Sequence, residues 1–442
     1  MFDKPELKSS VKEIEEVVSP REASRTLAKN INTFGQTSYY RLTLIVCLAE
    51  IFALASISTF PALLPTFLEE WQLSHTQAGW ISAAYYAGYM VLVPVLASIT
   101  DRIDARKVMC IGAILGILAA IGYALLAEGF WSALTLRFFA GISLAGIYMP
   151  GLKVVSDHTE GKLQSRFVSF YTASFSIGAS LSYLLAGEIN AVAGWRWVFA
   201  ASAIGTAIAL AIIVHYVPRG RVDRGERGAL ISDFRIVFRS RPAMAYVLAY
   251  AAHMWELFSL RSWIVAFLAF SIQNQPVGAF IWSPTQVAFL INLIGLPASI
   301  GGNELSLKFG RRRVVTFVMI TSGGLGAIFG FTAAFSYLLV VFLGLLYGIT
   351  VTGDSASLTA GAVAAAPVGL RGTTLAVHST LGFGAAFLGP LVVGVVLDIF
   401  GGNLFAWGIG FVSMAAGALL GPVFLYYLGS KPVSEKIQKP HS

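Results

Sequence analysis

Charged residues are scarce in this 442-residue chain: they make up 12% of it, about half the share of roughly 25% usual in a soluble domain. With 56% hydrophobic residues and a mean hydropathy of +0.72, a globule in water would expose apolar surface over most of its area. Water penalises such exposure and a bilayer does not. Cysteine is nearly absent: Cys47 and Cys110 both stand in apolar runs, so they supply neither a disulfide framework nor a metal spacing. No Gly-x-x-x-x-Gly-Lys-Ser/Thr loop is present to bind ATP, and no potassium-filter sequence. Energy for any vectorial work therefore has to come from a gradient. Signatures of a nucleophile, a metal site or a cofactor are also missing, so the expectation is no enzyme and no cofactor.

What is present is a series of apolar runs long enough to span about 30 Å of hydrocarbon at about 1.5 Å per residue. Twelve stand between charged breaks, near 42–67, 77–99, 106–127, 131–155, 166–190, 195–217, 244–270, 285–307, 313–334, 337–362, 373–397 and 404–428. They are too long and too unalternating for barrel strands. Hydrocarbon offers no partner to a free backbone N–H or C=O, so the runs must be helices. The reading is an all-α integral membrane protein with twelve transmembrane helices, surrounded by lipid.

The net charge of +8 is dispersed over short segments between the runs rather than gathered in a stripe, so no nucleic acid is expected as a partner. Its placement sets topology instead. Of 31 Lys and Arg, all but three fall in the N-terminal tail, the C-terminal tail and alternate loops. The exceptions are Arg196 on the other side and Arg137 and Arg261 within runs. By the positive-inside rule both termini are cytoplasmic, in a multi-pass protein of the cell membrane, a bacterial inner membrane being the expected one.

Residues 1–41 mix acidic and basic groups and read as a largely disordered cytoplasmic tail. Residues 42–217 form one six-helix bundle, and 218–243 a basic cytoplasmic linker carrying Arg219, Arg221, Arg224, Arg227, Arg235, Arg239 and Arg241. Residues 244–428 form a second bundle and 429–442 a second tail. A solvated inside-facing linker is the plain reading, and binding to anionic lipid the sharper one. The two bundles repeat. A shift of 206 residues places Glu50, Phe52, Leu54 and Ser56 on Glu256, Phe258, Leu260 and Ser262, and Arg106, Lys107 and Val108 on Arg312, Arg313 and Val314. Parallel six-helix repeats with a site between them suit a transporter whose halves rock to alternate access.

After the second run stands Asp101-Arg102-Ile103-Asp104-Ala105-Arg106-Lys107, and after the eighth the weaker copy Lys308-Phe309-Gly310-Arg311-Arg312-Arg313. The first resembles the loop signature of the major facilitator superfamily, with Ala97 and Asp104 where glycines usually stand; the copy has Leu307 in place of the acid. Arg137 with Gly141 and Gly146, and Gly194-Trp195-Arg196-Trp197-Val198-Phe199, are similar to further motifs of that family, and the resemblance covers residues 42–428. The glycine-proline motif of many of its antiporters is absent, since Gly178 and Gly187 stand without proline. The resemblance implies two pseudo-symmetric six-helix bundles and transport of a small-molecule solute by a monomer. Asp101, Arg102, Arg106, Lys107, Lys308, Arg311 and Arg312 are then gating residues that hold carboxylates and helix ends of the opposite half. Plain positive-inside anchoring is the alternative for the basic ones.

Ionisable groups inside the membrane point to function, because each costs about 2.5–3.5 kcal/mol at mid-helix on insertion scales. Glu50 and Glu256 lie near the middle of their runs, His253 is one turn before Glu256, and Arg261 is five residues after it. These three are expected along one cavity wall, with the His and Glu suited to relaying a proton. Asp354 in the tenth run and Arg137 in the fourth complete the candidate coupling and binding set. The plainer counterpart makes Glu256 and Arg261 satisfied ion partners of neighbouring helices. The expectation is a proton-coupled symporter taking up a small organic anion; efflux of an amphipathic compound, and a non-transporting sensor or scaffold on the same fold, stay open.

Overall fold

The computed structural model of the chain describes residues 39–99, 103–159, 161–219, 231–275 and 282–429. The tail before residue 39, the linker stretch 220–230, residues 430–442 and Asp101 and Arg102, expected to gate, lie outside the described residues, and so does the reading of the first tail as disordered. Among the described residues, twelve helices are long and apolar enough to cross a membrane. They are α1 (Tyr39–Ser56), α2 (His75–Ile99), α3 (Ala105–Leu126), α4 (Phe130–Asp157), α5 (Gly161–Ala193), α6 (Trp195–Tyr216), α7 (Arg241–Gln273), α8 (Pro284–Phe309), α9 (Arg311–Thr332), α10 (Tyr337–Ala364), α11 (Arg371–Ile399) and α12 (Leu404–Tyr427). This is an all-α multi-pass membrane protein of two pseudo-symmetric bundles, α1–α6 and α7–α12. Large apolar side chains such as Ile111, Leu118, Phe317 and Leu338 face outward, where lipid rather than water is their solvent. Between the bundles the linker carries a short helix, Ile231–Arg239, that buries Val237 against Met244, Val247, Ala362 and Val377.

Inside each bundle the close crossings are made by glycine, which lets backbones approach where lipid supplies no hydrophobic drive between helices. A Cβ on Gly141 of α4 would stand 1.8 Å from the carbonyl oxygen of Tyr85 in α2. In the second bundle a Cβ on Gly348 of α10 would stand 2.6 Å from the carbonyl oxygen of Ile291 in α8. Tyr85 and Ile291 are again 206 residues apart, so the repeat read from the sequence is also a repeat of packing. Aromatic rings fill what remains: Phe67 stacks on Trp71 at 4.3 Å and Tyr123 on Phe199 at 3.8 Å in the first bundle, and Phe267 meets Phe411 at 4.8 Å in the second.

Three apolar runs prove not to be single rods. In the first, α1 ends in a 3-10 turn, Leu54–Ser56, and the chain continues into the short helices Thr59–Ala62 and Leu64–Glu70. The eighth is interrupted at Ile294 and the tenth at Gly353 and Asp354. Hydropathy measures length and is blind to such breaks; proline is the local cause of the first two, while the third falls at Gly353 and Asp354 with no proline between residues 337 and 366. Pro61 has no N–H to offer the carbonyl four residues before it, and Pro297 likewise removes the partner of Leu293.

At the first break the freed groups are taken by side chains of three other helices. Ser182 and Ser202 donate to the carbonyl of Ala55 at 2.8 and 3.2 Å, and the Ser58 amide donates to Ser182 Oγ at 3.1 Å. Arg137 of α4 donates from Nη1 to Ser56 O at 3.0 Å and from Nη2 to Ile57 O at 3.2 Å. The Ile57 carbonyl is the one orphaned by Pro61. In this structure Arg137 therefore spends its guanidinium on broken backbone, over the face of Tyr85 at 4.2 Å, instead of presenting it to a solute as the sequence suggested.

Arg137→Ala orphans the buried Ile57 carbonyl at about 1–3 kcal/mol and takes one of two donors from Ser56 O, which keeps Thr59 Oγ1 at 2.8 Å. Its melting temperature in detergent should fall by several degrees, and Arg137→Lys should restore part of the loss because an ammonium can reach one carbonyl but not fork to both. Unchanged melting of the alanine variant would contradict the assignment.

Candidate functional site

The buried ionisable groups lie on α1, α4, α7, α10 and α11 and sort by what they touch. Glu50 and Glu256, equivalent in the repeat, are both held by hydroxyls. Ser174 of α5 donates to Glu50 Oε2, while Glu50 Oε1 is buried without a partner. Glu256 Oε1 accepts from Ser322 Oγ of α9 at 3.0 Å and from Tyr347 OH of α10 at 2.9 Å. Among the described residues no Lys, Arg or His stands within ion-pair distance of either carboxylate.

His253 does not pair with Glu256, three residues away, whose carboxylate is held by Ser322 and Tyr347. It approaches Asp354 Oδ1 of α10 at 2.8 Å through Nδ1, with side-chain exposures of 1% and 4%. The break in α10 makes this possible: Asp354 stands at the N-cap of the second segment, so its carboxylate leaves the helix surface towards α7. The α8 backbone comes close enough to hold that break, since a Cβ on Gly302 would lie 1.7 Å from the Gly353 carbonyl oxygen. Continuing from His253, the Tyr250 ring lies at 5.8 Å from it and stacks at 3.7 Å on His378 of α11. His378 Nε2 meets Thr359 Oγ1 at 3.3 Å, and its Nδ1 is buried without a partner. Sequence reasoning passed over His378 and Tyr250. The rule that an intramembrane ionisable residue marks function would have found the first; nothing in the sequence indicates that the two rings stack.

Arg261 is buried and separate from these acids. Its Nε donates to Asn292 Oδ1 of α8 at 2.8 Å, and Asn292 is itself fixed by donating to Ala288 O at 2.8 Å. The guanidinium carbon lies 5.1 Å from the Phe258 ring centre and 5.8 Å from that of Phe175, a residue of the first bundle. Tyr183 of α5 donates to the Arg261 carbonyl across the same divide. Among the described residues no carboxylate pairs with Arg261. The aromatic contacts continue between bundles in Tyr86–Phe258 at 4.7 Å and Tyr89–Phe383 at 3.8 Å.

The basic loops behave differently from expectation. Arg106 Nη2 donates to the carbonyl of Val214 at the end of α6, and Arg312 Nη2 to that of Tyr426 at the end of α12, at 3.1 Å. Each repeat thus ties its own helix end with an equivalent arginine, not that of the other half. Lys107 and Lys308 are exposed, Lys308 lying 5.3 Å over Phe309, and Arg311 Nε has no partner. Among the described residues, the hydrogen bonds that join the halves are Tyr183 to Arg261, Gln286 to Glu188, and His75 and Thr76 to Asp398. All lie away from the basic loops, so this structure is closed on the opposite face.

A family model described as Major Facilitator Superfamily matches residues 46–302, and the chain belongs to that superfamily. It is 24% identical over 235 residues to protein spinster homolog 1 of Bos taurus, covering 51% of this chain and 44% of that protein. It is 22% identical over 293 residues to the probable sphingolipid transporter spinster homolog 1 of Arabidopsis thaliana, covering 60% and 59%. The chain spans about half the length of these relatives. Among solved structures, a bacterial homolog of the human lysosomal transporter Spinster, inward-facing and unoccupied, superposes with a TM-score of 0.66 at 16% identity over 89% of this chain and 95% of that one. The nucleoside transporter NupG gives 0.69 at 13% identity over 88% and 100%. At these identities the likeness is one of fold.

Asn292→Ala removes the clamp on Arg261 without changing a charge. Any anion that protects Arg261 should bind roughly tenfold more weakly, from the loss of one charged hydrogen bond of about 1.5 kcal/mol, and the melting temperature should fall by a few degrees because the buried Nε loses its acceptor. A large loss of stability with unchanged binding would make Asn292 a packing residue only.

Proposed function

We propose that this protein is a secondary active transporter that takes up a small organic anion together with protons by alternating access between its two bundles. The basic loops and both termini face the cytoplasm, and the monomer is the working unit. The observation that carries this reading is that Arg261, Glu50 and Glu256 do not neutralise one another. An uncompensated charge in the interior of a membrane protein costs several kcal/mol. Yet Arg261 has no carboxylate, and Glu50 and Glu256 have no cation, within ion-pair distance among the described residues. The missing counter-charges then come from outside: an anion for Arg261, a proton for each glutamate. Separation of the two kinds of group is what coupling needs, since a salt bridge between them would leave nothing for substrate or proton to do.

Phe258 and Phe175 beneath the guanidinium favour an anion attached to an apolar or flat body. The name of the Arabidopsis thaliana relative, a probable sphingolipid transporter, agrees with an amphipathic solute. His253 and Asp354, within reach of the His378 ring through Tyr250, form the second group able to pass a proton, on the side from which the closed face is remote.

In proteoliposomes with an acidic exterior and a panel of organic anions, the wild type should accumulate a member of the panel and acidify the lumen as it does so. Glu256→Gln should abolish gradient-driven accumulation while solute counterflow persists. Arg261→Gln should raise the half-saturation concentration at least tenfold, and Arg261→Lys by less, because charge is kept and the planar fork is lost. Accumulation undiminished in Glu256→Gln removes that residue from coupling; no flux of any solute by the wild type favours a sensor or scaffold.

A further inference from the structure

The closed face is held by two contacts that the repeat relates to each other. α2 begins with a capping box in which the Gln77 amide donates to Ser74 Oγ at 3.2 Å and the Ser74 amide to Gln77 Oε1 at 3.0 Å. α8 begins with the same device, Ser283 and Gln286, at 3.3 and 3.1 Å, 209 residues later. Such a box leaves the first two N–H groups of the helix without a partner. In α2 these belong to His75 and Thr76, and both donate to one carboxylate of the other bundle: His75 N to Asp398 Oδ1 at 2.9 Å and Thr76 N to Oδ2 at 2.8 Å. His75 Nδ1 lies 2.9 Å from Oδ1 as well. In α8 the first of the two positions is Pro284, which has no N–H, and the contact passes instead to the Gln286 side chain, which donates to Glu188 of α5 at 2.9 Å. Glu188 and Asp398 are 210 residues apart.

We propose that Asp398 is the principal latch of this face, a helix cap supplied in trans: α11 of one bundle closes the N-terminus of α2 of the other, and Glu188 with Gln286 is the weaker copy. The proposal rests on the alternating-access reading above, since only a face that must open needs a releasable contact. Three features fit a latch. The carboxylate receives two aligned backbone donors at the positive end of a helix, a combination stronger than a neutral hydrogen bond. The approach is built for it, because a Cβ on Gly394 would lie 2.4 Å from the His75 carbonyl oxygen and one on Gly79 would lie 2.9 Å from that of Pro390; α2 and α11 touch backbone to backbone here. Finally, the His75 and Asp398 side chains are each 30% exposed, so water can take over the N–H groups on release and the contact remains reversible, unlike the bonds buried deeper in the bundle.

The test uses the full chain with Cys47 and Cys110 replaced by alanine and spin labels at Glu128→Cys and Ala334→Cys, exposed positions 206 residues apart on the closed face of either bundle. Their distance distribution reports opening without any solute. Asp398→Ala should raise the ratio of long to short distances about tenfold, the equivalent of losing one charged hydrogen bond in net terms. His75→Ala keeps both backbone donors and should change the ratio less than threefold. If Asp398→Ala does not stay monodisperse, Asp398→Asn serves in its place: it retains one acceptor oxygen and should fall between the other two. Wild-type distributions in both Asp398 variants overturn the proposal. A His75→Ala effect as large as that of Asp398→Ala also overturns it, because the contact would then be a side-chain ion pair. Absence of flux in vesicles would remove the transport reading and leave these distances as they are, whereas unaltered distances in a variant that transports would sink the latch alone.

Discussion

Within hydrocarbon a polar group finds its partner inside the protein or goes without, and this constraint organises the whole molecule. It makes every span a helix, and it makes every break in a helix a demand on neighbours. The interruption after α1 shows how the demand is met: proline at 61 frees a carbonyl, and Arg137, Ser182 and Ser202, from α4, α5 and α6, converge on the exposed backbone. Four segments of the first bundle are thereby tied at one point, and the break is an anchor instead of a defect. The break in α10 serves another end, since it turns Asp354 towards His253.

The same constraint separates charges that the protein itself satisfies from charges it leaves without a counter-charge. Arg137 is fully engaged by carbonyls except at Nε, whereas Arg261 has one neutral amide oxygen and two aromatic faces. Both are intramembrane arginines, and insertion cost alone cannot tell them apart. What distinguishes them is whether the protein itself supplies the partner. Glu50 and Glu256 resemble Arg261 in this, held by neutral hydroxyls and with no cation in ion-pair distance among the described residues.

Duplication supplies the frame, and divergence within it supplies the chemistry. The glycine crossings, the arginines that tie α6 and α12, the glutamates and the capping boxes recur in both halves. The residues that break the pattern are concentrated in the second half. The positions equivalent to His253 and Asp354 are Cys47 and Tyr148, and the position equivalent to Arg261 is Ala55. The two lobes thus share their packing frame, while the His253–Asp354 pair and Arg261 belong to the second alone.

Length and hydropathy were enough to place twelve helices, because the bilayer translates apolar length directly into a span. A shift of 206 residues was enough to expose the repeat. The sequence also marked Glu50, Glu256, His253, Arg261 and Asp354 as buried ionisable groups, since charge in an apolar run is visible without coordinates. It did not determine their partners. Three residues along a helix suggested that His253 faces Glu256, but a break in another helix gave His253 to Asp354, and the arginines of the basic loops turned to their own bundles. Nor did it show that Asp398, an unremarked acid at the end of a run, meets the start of a helix 322 residues earlier. Spacing along a chain sets which residues a helix carries; which of them meet depends on rotations, crossings and breaks that arise only when the helices pack together.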